Sequence, residues 1–170
     1  MTPLLMASKS DMMEGVDYLV REGKANVNTT DNKGWTALHH ACERDNLKMV
    51  RFLLTCGNAN VERRDKKGMT ALLIASQYSP SGRISQYLVE NKANVEARDN
   101  SGKTALHYAC ENIAFYDGSL TLVEFLVTTG QATVEIDTTL GRKTLQCARM
   151  LFVRYGRLGL AHCLVEAWQF

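Results

Sequence analysis

The sequence has little of what marks a membrane protein, a disordered linker or a disulfide-stabilised secreted domain. Only two of its 170 residues are proline, which argues against a low-complexity linker. No apolar run approaches the ~18 residues of a membrane span, and residues 2–7 are too short, and lack the basic flank, for a signal peptide. Five cysteines without paired short spacings are typical of reduced thiols. We therefore expect a cytoplasmic protein that inserts into no membrane, with a nuclear location also open.

The sequence also lacks a large excess of either positive or negative charge. Twenty Lys and Arg residues against eighteen Asp and Glu residues leave a net charge of +2, which is too small to indicate nucleic acid or anionic lipid as a bulk electrostatic partner. The chain is 45% hydrophobic, which is ordinary for a soluble globular protein, and its length is that of one compact domain. We expect one monomeric domain over residues 1–170.

The chain contains an internal repeat. The tetrapeptide TALH at residues 36–39 recurs as TALL at 70–73 and TALH at 104–107, each time after 34 residues, and TPLL at 2–5 lies 34 residues before the first of them. A fifth unit begins at Thr144, after an insertion of five residues around 113–117. Because each unit is too short to bury its own core, such a period predicts a stacked repeat architecture.

Each unit predicts a turn followed by two helices. Leu38, Ala41 and Cys42 form an i, i+3, i+4 stripe of small inner residues, and a bulkier helical stripe follows around Val50 and Leu53. Between units, Asp stands first and Gly fourth in the segments 31–34, 65–68 and 99–102, which is the preference of a type I turn. The threonines that follow, at 36, 70 and 104, are natural helix N-caps.

A period near 33 that carries Thr-Ala-Leu-His and Asp-x-x-Gly resembles the ankyrin repeat family over essentially the whole chain. The resemblance implies an all-α solenoid with projecting β-hairpin fingers. We expect units at about 2–34, 35–68, 69–102, 103–141 and 142–170, the last acting as a C-terminal cap. No polar cap precedes Thr2, so we expect the first unit to be self-capping or the chain to be a fragment of a longer protein.

Catalytic and metal-binding patterns are lacking. There is no glycine-rich phosphate loop, Cys-x-x-Cys pair, His-Glu-x-x-His helix or Gly-x-Ser-x-Gly elbow, so we expect neither an enzyme nor a cofactor. His39 with Cys42 could form one half of a zinc site and His107 with Cys110 another, but stacked repeats would place the halves ~20 Å apart. We expect both histidines to be structural, bonded near the capping threonine and to the adjacent repeat. Turn formation likewise explains the aspartates at 31, 65 and 99 without a metal.

Function is then expected from a surface. In the ankyrin family, partners are usually held by the finger tips and by the exposed inner face of the first helices. Transferred to this chain, the resemblance selects finger residues Asn32, Lys33, Trp35, Lys66, Lys67, Met69, Asn100, Ser101 and Lys103, and helix residues Glu43, Arg44, Gln77, Tyr78, Glu111 and Asn112. Phe115 and Tyr116 in the insertion add an aromatic pair. Trp35 and Met69 are expected to be exposed hot spots, unless Trp35 packs over the neighbouring fingers.

The favoured hypothesis is a non-catalytic scaffold or adaptor that binds a protein or peptide, with the basic run 62–67 facing an acidic partner segment. A second hypothesis is a nucleotide or oligonucleotide sensor. The arrangement of Trp35 with Arg64, Lys66 and Lys67 one finger later is similar to the oligoadenylate site in the ankyrin domain of ribonuclease L. In that site an aromatic ring stacks on a base and lysine pairs with phosphate. A third is a regulatory or targeting domain of a larger protein.

Overall fold

The computed structural model describes residues 1–79, 81–112, 119–128 and 132. Within these ranges the chain forms eight α-helices in four consecutive pairs. The helices are α1 Pro3–Lys9, α2 Met13–Arg21, α3 Ala37–Glu43, α4 Leu47–Thr55, α5 Ala71–Tyr78, α6 Arg83–Glu90, α7 Ala105–Asn112 and α8 Ser119–Thr128. Each pair lies within one of the first four expected units.

The inner helices begin where the repeated threonines predict. The hydroxyl oxygens of Thr2, Thr36 and Thr70 each accept the backbone N–H three residues further on, at 3.4 Å. In α3 the bond is reciprocated, because the backbone N–H of Thr36 donates to Nδ1 of His39 at 3.0 Å. These bonds satisfy N–H groups that the first helical turn leaves without an intrahelical acceptor.

Recurrent apolar residues build the core. The repeated leucines of the inner helices are each 1% exposed: Leu4, Leu38, Leu72 and Leu106. The alanines one turn further along are completely buried: Ala41, Ala75 and Ala109. Small side chains at these positions let neighbouring helices approach closely, and the leucines fill the space between units. The stripe inferred from the sequence is therefore the core stripe.

The helices stack in two rows. Inner helices α1, α3, α5 and α7 pack in that order, and α4, α6 and α8 pack in the outer row behind them. This is the expected all-α solenoid. In the part of the chain that the structure describes, no helix is long and apolar enough to cross a membrane. The insertion at 113–117 and the expected C-terminal cap at 142–170 lie outside the described residues.

Three turns project between units, and we name them finger 1 (residues 31–35), finger 2 (65–69) and finger 3 (99–103). Each is closed by a bond from the backbone N–H of its glycine to the carbonyl of its aspartate, at 2.9 to 3.0 Å. Gly34 has a φ of 83°, and a Cβ there would stand 2.9 Å from the backbone nitrogen of Lys66. The described ranges contain no β-strand, so the expected hairpin strands are not confirmed and the fingers are hydrogen-bonded turns.

Candidate partner-binding groove

The first aspartate of each finger holds its own turn together. In finger 1, Oδ1 of Asp31 accepts the backbone N–H groups of Lys33 and Trp35 at 2.8 and 2.9 Å. Asp65 and Asp99 make the same two bonds in fingers 2 and 3, at 2.7 to 2.8 Å. Bonds to an ionised acceptor are stronger than neutral ones. The aspartates are therefore turn-forming residues, as the sequence predicts.

The second carboxylate oxygen of each aspartate meets a ring side chain. Oδ2 of Asp31 in finger 1 lies 3.2 Å from Nε2 of His40. In finger 2, Oδ2 of Asp65 accepts the indole N–H of Trp35 at 2.8 Å, and in finger 3, Oδ2 of Asp99 accepts the hydroxyl of Tyr108 at 2.7 Å. Burial raises the pKa of Asp31, but the backbone donors and His40 outweigh it, and the net pKa is lowered. Burial, together with the bond to its aspartate, raises the pKa of Tyr108.

Trp35 lies between fingers and is only partly exposed. Its indole N–H donates to Asp65 of finger 2, and Nζ of Lys33 lies 5.5 Å from the centre of its ring. The ring also packs against His39 and His40, with centroids 6.4 and 5.1 Å apart. Packing over the neighbouring finger, one of the two expectations for Trp35, is therefore what the structure shows. A nucleobase stacked on the indole would have to displace the Lys33 ammonium.

The fingers are joined edge to edge. The backbone N–H of Lys66 donates to the carbonyl of Lys33 at 3.1 Å, and that of Asn100 donates to the carbonyl of Lys67 at 2.9 Å. The side-chain amide of Asn100 adds a bond to the carbonyl of Lys66 at 3.1 Å. These bonds fix the spacing between tip residues of successive fingers, so the row of tips is organised before any partner binds.

A concave groove of about 710 Å³ runs between the fingers and the inner helices. Many of the residues selected from the sequence line it. From the tips and finger 1 these include Asn32, Lys33, Trp35, Lys66, Lys67 and Asn100, and from the base they include Met69, Gln77 and Tyr78. Tyr78 is 47% exposed, which suits a contact residue. The groove thus collects most of the selected residues on one surface.

Met69 is not the exposed side chain that was expected. It is only 5% exposed, and its sulfur lies 3.3 Å from the hydroxyl of Tyr108 in the next repeat unit. The expectation that Met69 is exposed is therefore wrong, because an aromatic residue of α7 covers it. Tyr108 itself lines the groove and was not selected from the sequence. Its position nine residues after Asp99, equivalent to that of His40 after Asp31, was the available signal.

Lys103 and Asn112 make structural contacts. Nζ of Lys103 binds the carboxylate of Glu111 at 2.8 Å and lies 5.1 Å from the ring centre of Tyr108. The side-chain amide of Asn112 donates to the carbonyls of Ser76 and Gln77 at 2.9 and 2.8 Å, near the C-terminal end of α5. Neither residue is among those that line the groove.

The other selected residues lie away from the groove or outside the described ranges. Arg44 is exposed at the C-cap of α3 and does not line the groove. Phe115 and Tyr116 lie outside the described residues. The guanidinium of Arg64 is engaged by backbone carbonyls, with Nε donating to that of Gly68 at 3.1 Å and a terminal nitrogen contacting that of Arg98. It is therefore not positioned as the phosphate ligand that the nucleotide hypothesis requires.

Both repeated histidines contact their capping threonines, as expected, and His39 also contacts the next unit. Nδ1 of His39 lies 2.8 Å from the hydroxyl of Thr36, and its Nε2 lies 3.2 Å from the carbonyl of Met69 in the next unit. Nδ1 of His107 lies 2.8 Å from the hydroxyl of Thr104. Burial lowers the pKa of His39, so the ring is neutral at pH 7. Among the residues that the structure places, no three His, Cys, Asp or Glu side chains converge as a metal site would require.

Comparison with known proteins assigns the family. A family model described as ankyrin repeats (3 copies) matches residues 1–65 and 57–139. No individual curated protein matches the chain. The two matched segments cover most of the sequence and include all eight described helices. The chain therefore belongs to the ankyrin repeat family, whose members generally mediate protein–protein interaction.

Proposed function

We propose that this protein is a non-catalytic scaffold or adaptor that holds a partner protein or peptide in the concave groove. The observation that carries the proposal is the groove itself, about 710 Å³ in volume and lined by residues from all three fingers together with α3, α5 and α7. A partner seated in the groove would therefore contact three successive fingers.

Rigidity favours binding at this surface. Backbone bonds between fingers hold the tips at fixed spacing, and the indole of Trp35 adds a side-chain bond from finger 1 to finger 2. A partner therefore does not have to order these loops, which lowers the entropic cost of association. Trp35 contributes mainly by supporting the groove, whereas Tyr78, at 47% exposure, is the aromatic residue available for direct contact.

The tip lysines indicate how a partner would approach. Lys33, Lys66 and Lys67 are exposed side chains on adjacent fingers, and they favour a partner with an acidic segment. Such a pairing accelerates association and weakens as salt is added. The proposal is for a monomer in the cytoplasm, and a regulatory or targeting domain within a larger protein would use the groove in the same way.

The contacts of Trp35 and Arg64 disfavour the nucleotide hypothesis, although Lys66 and Lys67, which it also requires, are exposed. The indole ring of Trp35 already packs against Lys33, His39 and His40. The guanidinium of Arg64 donates to a backbone carbonyl. Base stacking and phosphate binding would both require rearrangement of contacts that hold the fingers.

Partner capture tests the proposal. We would crosslink wild-type protein in its native cells, purify it and identify bound proteins by mass spectrometry. Tyr78→Ala is the groove variant, and Tyr18→Ala is its matched control, because Tyr18 is 65% exposed on α2, away from the groove. The proposal predicts a protein that is lost with Tyr78→Ala and retained with Tyr18→Ala. Equal capture by both variants would place the binding surface elsewhere.

A further inference from the structure

The charges that line the groove are not equally available to a partner. Three lysines and three carboxylates are present: Lys33, Lys66 and Lys67, with Glu43, Asp65 and Asp99. Counted formally they cancel, and the groove would favour neither an acidic nor a basic ligand. Which of these charged groups remain free for direct contact with a ligand therefore decides what the groove can bind.

The two aspartates are engaged. Oδ1 of Asp65 accepts two backbone N–H groups, and its Oδ2 accepts the indole N–H of Trp35. Asp99 likewise accepts two backbone N–H groups and the hydroxyl of Tyr108. Glu43 is different, since its carboxylate is 35% exposed and lies 3.9 Å from Nδ1 of His40. Asp65 and Asp99 thus have both carboxylate oxygens occupied by donors of the protein itself, whereas Glu43 is the one more open to direct contact with a ligand.

The lysines are not engaged in this way. Among the residues that the structure describes, no carboxylate pairs with Lys33, Lys66 or Lys67, and the two lysines of finger 2 are exposed. The contrast is Lys103, whose ammonium is bound by Glu111 at 2.8 Å. Lys33 lies over the indole ring at 5.5 Å, a contact that leaves its positive charge uncompensated. The charged groups of the groove that are free for direct contact with a ligand are therefore mostly the lysines.

The positive charge is confined to one end of the groove, and an apolar contact lies beside it. Fingers 1 and 2 carry the lysines, whereas the tip of finger 3 carries the uncharged Asn100 and Ser101. At the base, Met69 and Ile74 are buried, at 5% and 0% exposure, and Tyr78 presents an aromatic ring at 47% exposure. A large apolar side chain placed there would remove apolar surface from water on both sides.

We propose that the groove recognises an extended acidic segment of a partner protein that carries one large apolar residue. Its carboxylates lie against Lys33, Lys66 and Lys67, its apolar side chain covers Tyr78, and its flank over finger 3 is uncharged. This inference rests on the proposed function, because it names the chemistry of the partner for the same groove. The asymmetric placement of charge fixes the direction in which the segment binds.

A display library of random 12-residue peptides tests the inference without knowledge of the natural partner. The folded full chain is the bait at low salt, and the selected peptides are sequenced. The expected result is enrichment of two or more Asp or Glu residues at a constant distance from one Phe, Leu, Trp or Tyr. Enrichment of basic or purely apolar peptides, or no enrichment, would overturn the inference.

Affinities of the most enriched peptide then assign the contacts. Lys66→Glu combined with Lys67→Glu is expected to weaken binding about tenfold or more, since it reverses two charges, and Tyr78→Ala is expected to weaken it about tenfold as an aromatic contact residue. Lys48→Glu on α4 is the charge control, and it should change the affinity less than about twofold. Raising the salt concentration from 50 mM to 500 mM should weaken the wild-type complex and leave the double variant much less affected.

Three outcomes separate the explanations. Equal weakening by Lys48→Glu and the double variant would mean general charge attraction and would overturn the inference. Binding of a labelled 12-nucleotide oligouridine in competition with the peptide would identify a general polyanion site and would overturn it too. If peptide selection fails while capture from cells still depends on Tyr78, the acidic-segment inference fails and the proposed function stands.

Discussion

Replacing Asp65 isolates the hydrogen bonds that join finger 1 to finger 2. Asp65→Asn keeps one side-chain oxygen for the N–H groups of Lys67 and Met69, but it places an amide N–H₂, which donates and cannot accept, opposite the indole N–H of Trp35. Asp65→Ala removes all three bonds, which are 2.7 to 2.8 Å long. The two variants therefore separate the contact between fingers from the contacts within one finger.

The expected magnitudes follow from these bonds. A hydrogen bond to a charged group contributes about 1.5–3 kcal/mol, and the lower end applies because Asp65 is only partly buried. We expect Asp65→Asn to lower the free energy of unfolding by about 1–2 kcal/mol and Asp65→Ala to lower it by about 3–4 kcal/mol. Asp17→Asn is the control, since Asp17 forms an exposed i,i+4 pair with Arg21 and should cost no more than about 0.5 kcal/mol.

Urea unfolding followed by circular dichroism measures these differences, provided that the denaturant slope is unchanged. A double-mutant cycle with Trp35→Phe should give a coupling energy of about 1 kcal/mol, because each change alone removes the same bond. A coupling energy near zero, or an Asp65→Asn variant as stable as Asp17→Asn, would show that the indole bond does not hold the two fingers together.

Two further predictions concern the core and the pH dependence. Leu72→Ala, at a residue 1% exposed, should lower the free energy of unfolding by about 2–5 kcal/mol, whereas Lys67→Ala should change it by less than about 0.5 kcal/mol; equal effects in urea unfolding would contradict the repeat register. Burial lowers the pKa of His39 in the folded protein, so the unfolded chain binds more protons as the pH falls. The contribution of His39 to the free energy of unfolding is therefore fully present above about pH 6.5, and it is lost as the pH falls through the folded-state pKa of His39. His39→Leu, chosen because Leu73 occupies the equivalent position of the next unit, should reduce the slope of stability between pH 7 and pH 5, and an unchanged slope would refute the assignment.

The sequence was sufficient for the fold because the signals recur in phase. A threonine before each inner helix, a leucine two residues later and a small residue at the next turn can be read without any tertiary information. The leucines and small residues are buried, and the threonines before α1, α3 and α5 cap their helices. The hairpin strands came from the family resemblance instead. Neighbouring fingers share few backbone bonds, such as that from Lys66 to Lys33, which is too little for a regular ladder.

The positions of the groove residues could be inferred, but their availability could not. Trp35 bonds to a residue 30 positions away, Met69 is contacted by a residue 39 positions away, and the amide of Asn112 reaches carbonyls 35 and 36 positions away. Each partner lies on a different finger or inner helix, and its identity changes from one repeat to the next. Repeat spacing places a side chain on a surface, whereas the neighbouring unit decides whether that side chain is free to bind.

Site-specific photocrosslinking in native cells tests the central claim, that the groove is a protein-binding surface, most directly. A photoreactive amino acid replaces Lys67 at the tip of finger 2, and in a second sample it replaces Lys48 on the outer helix α4; both residues are exposed. The account predicts a discrete adduct with a partner protein from position 67, none from position 48, and loss of the adduct when Tyr78→Ala is added. An adduct that forms from position 48 and not from position 67 would contradict it.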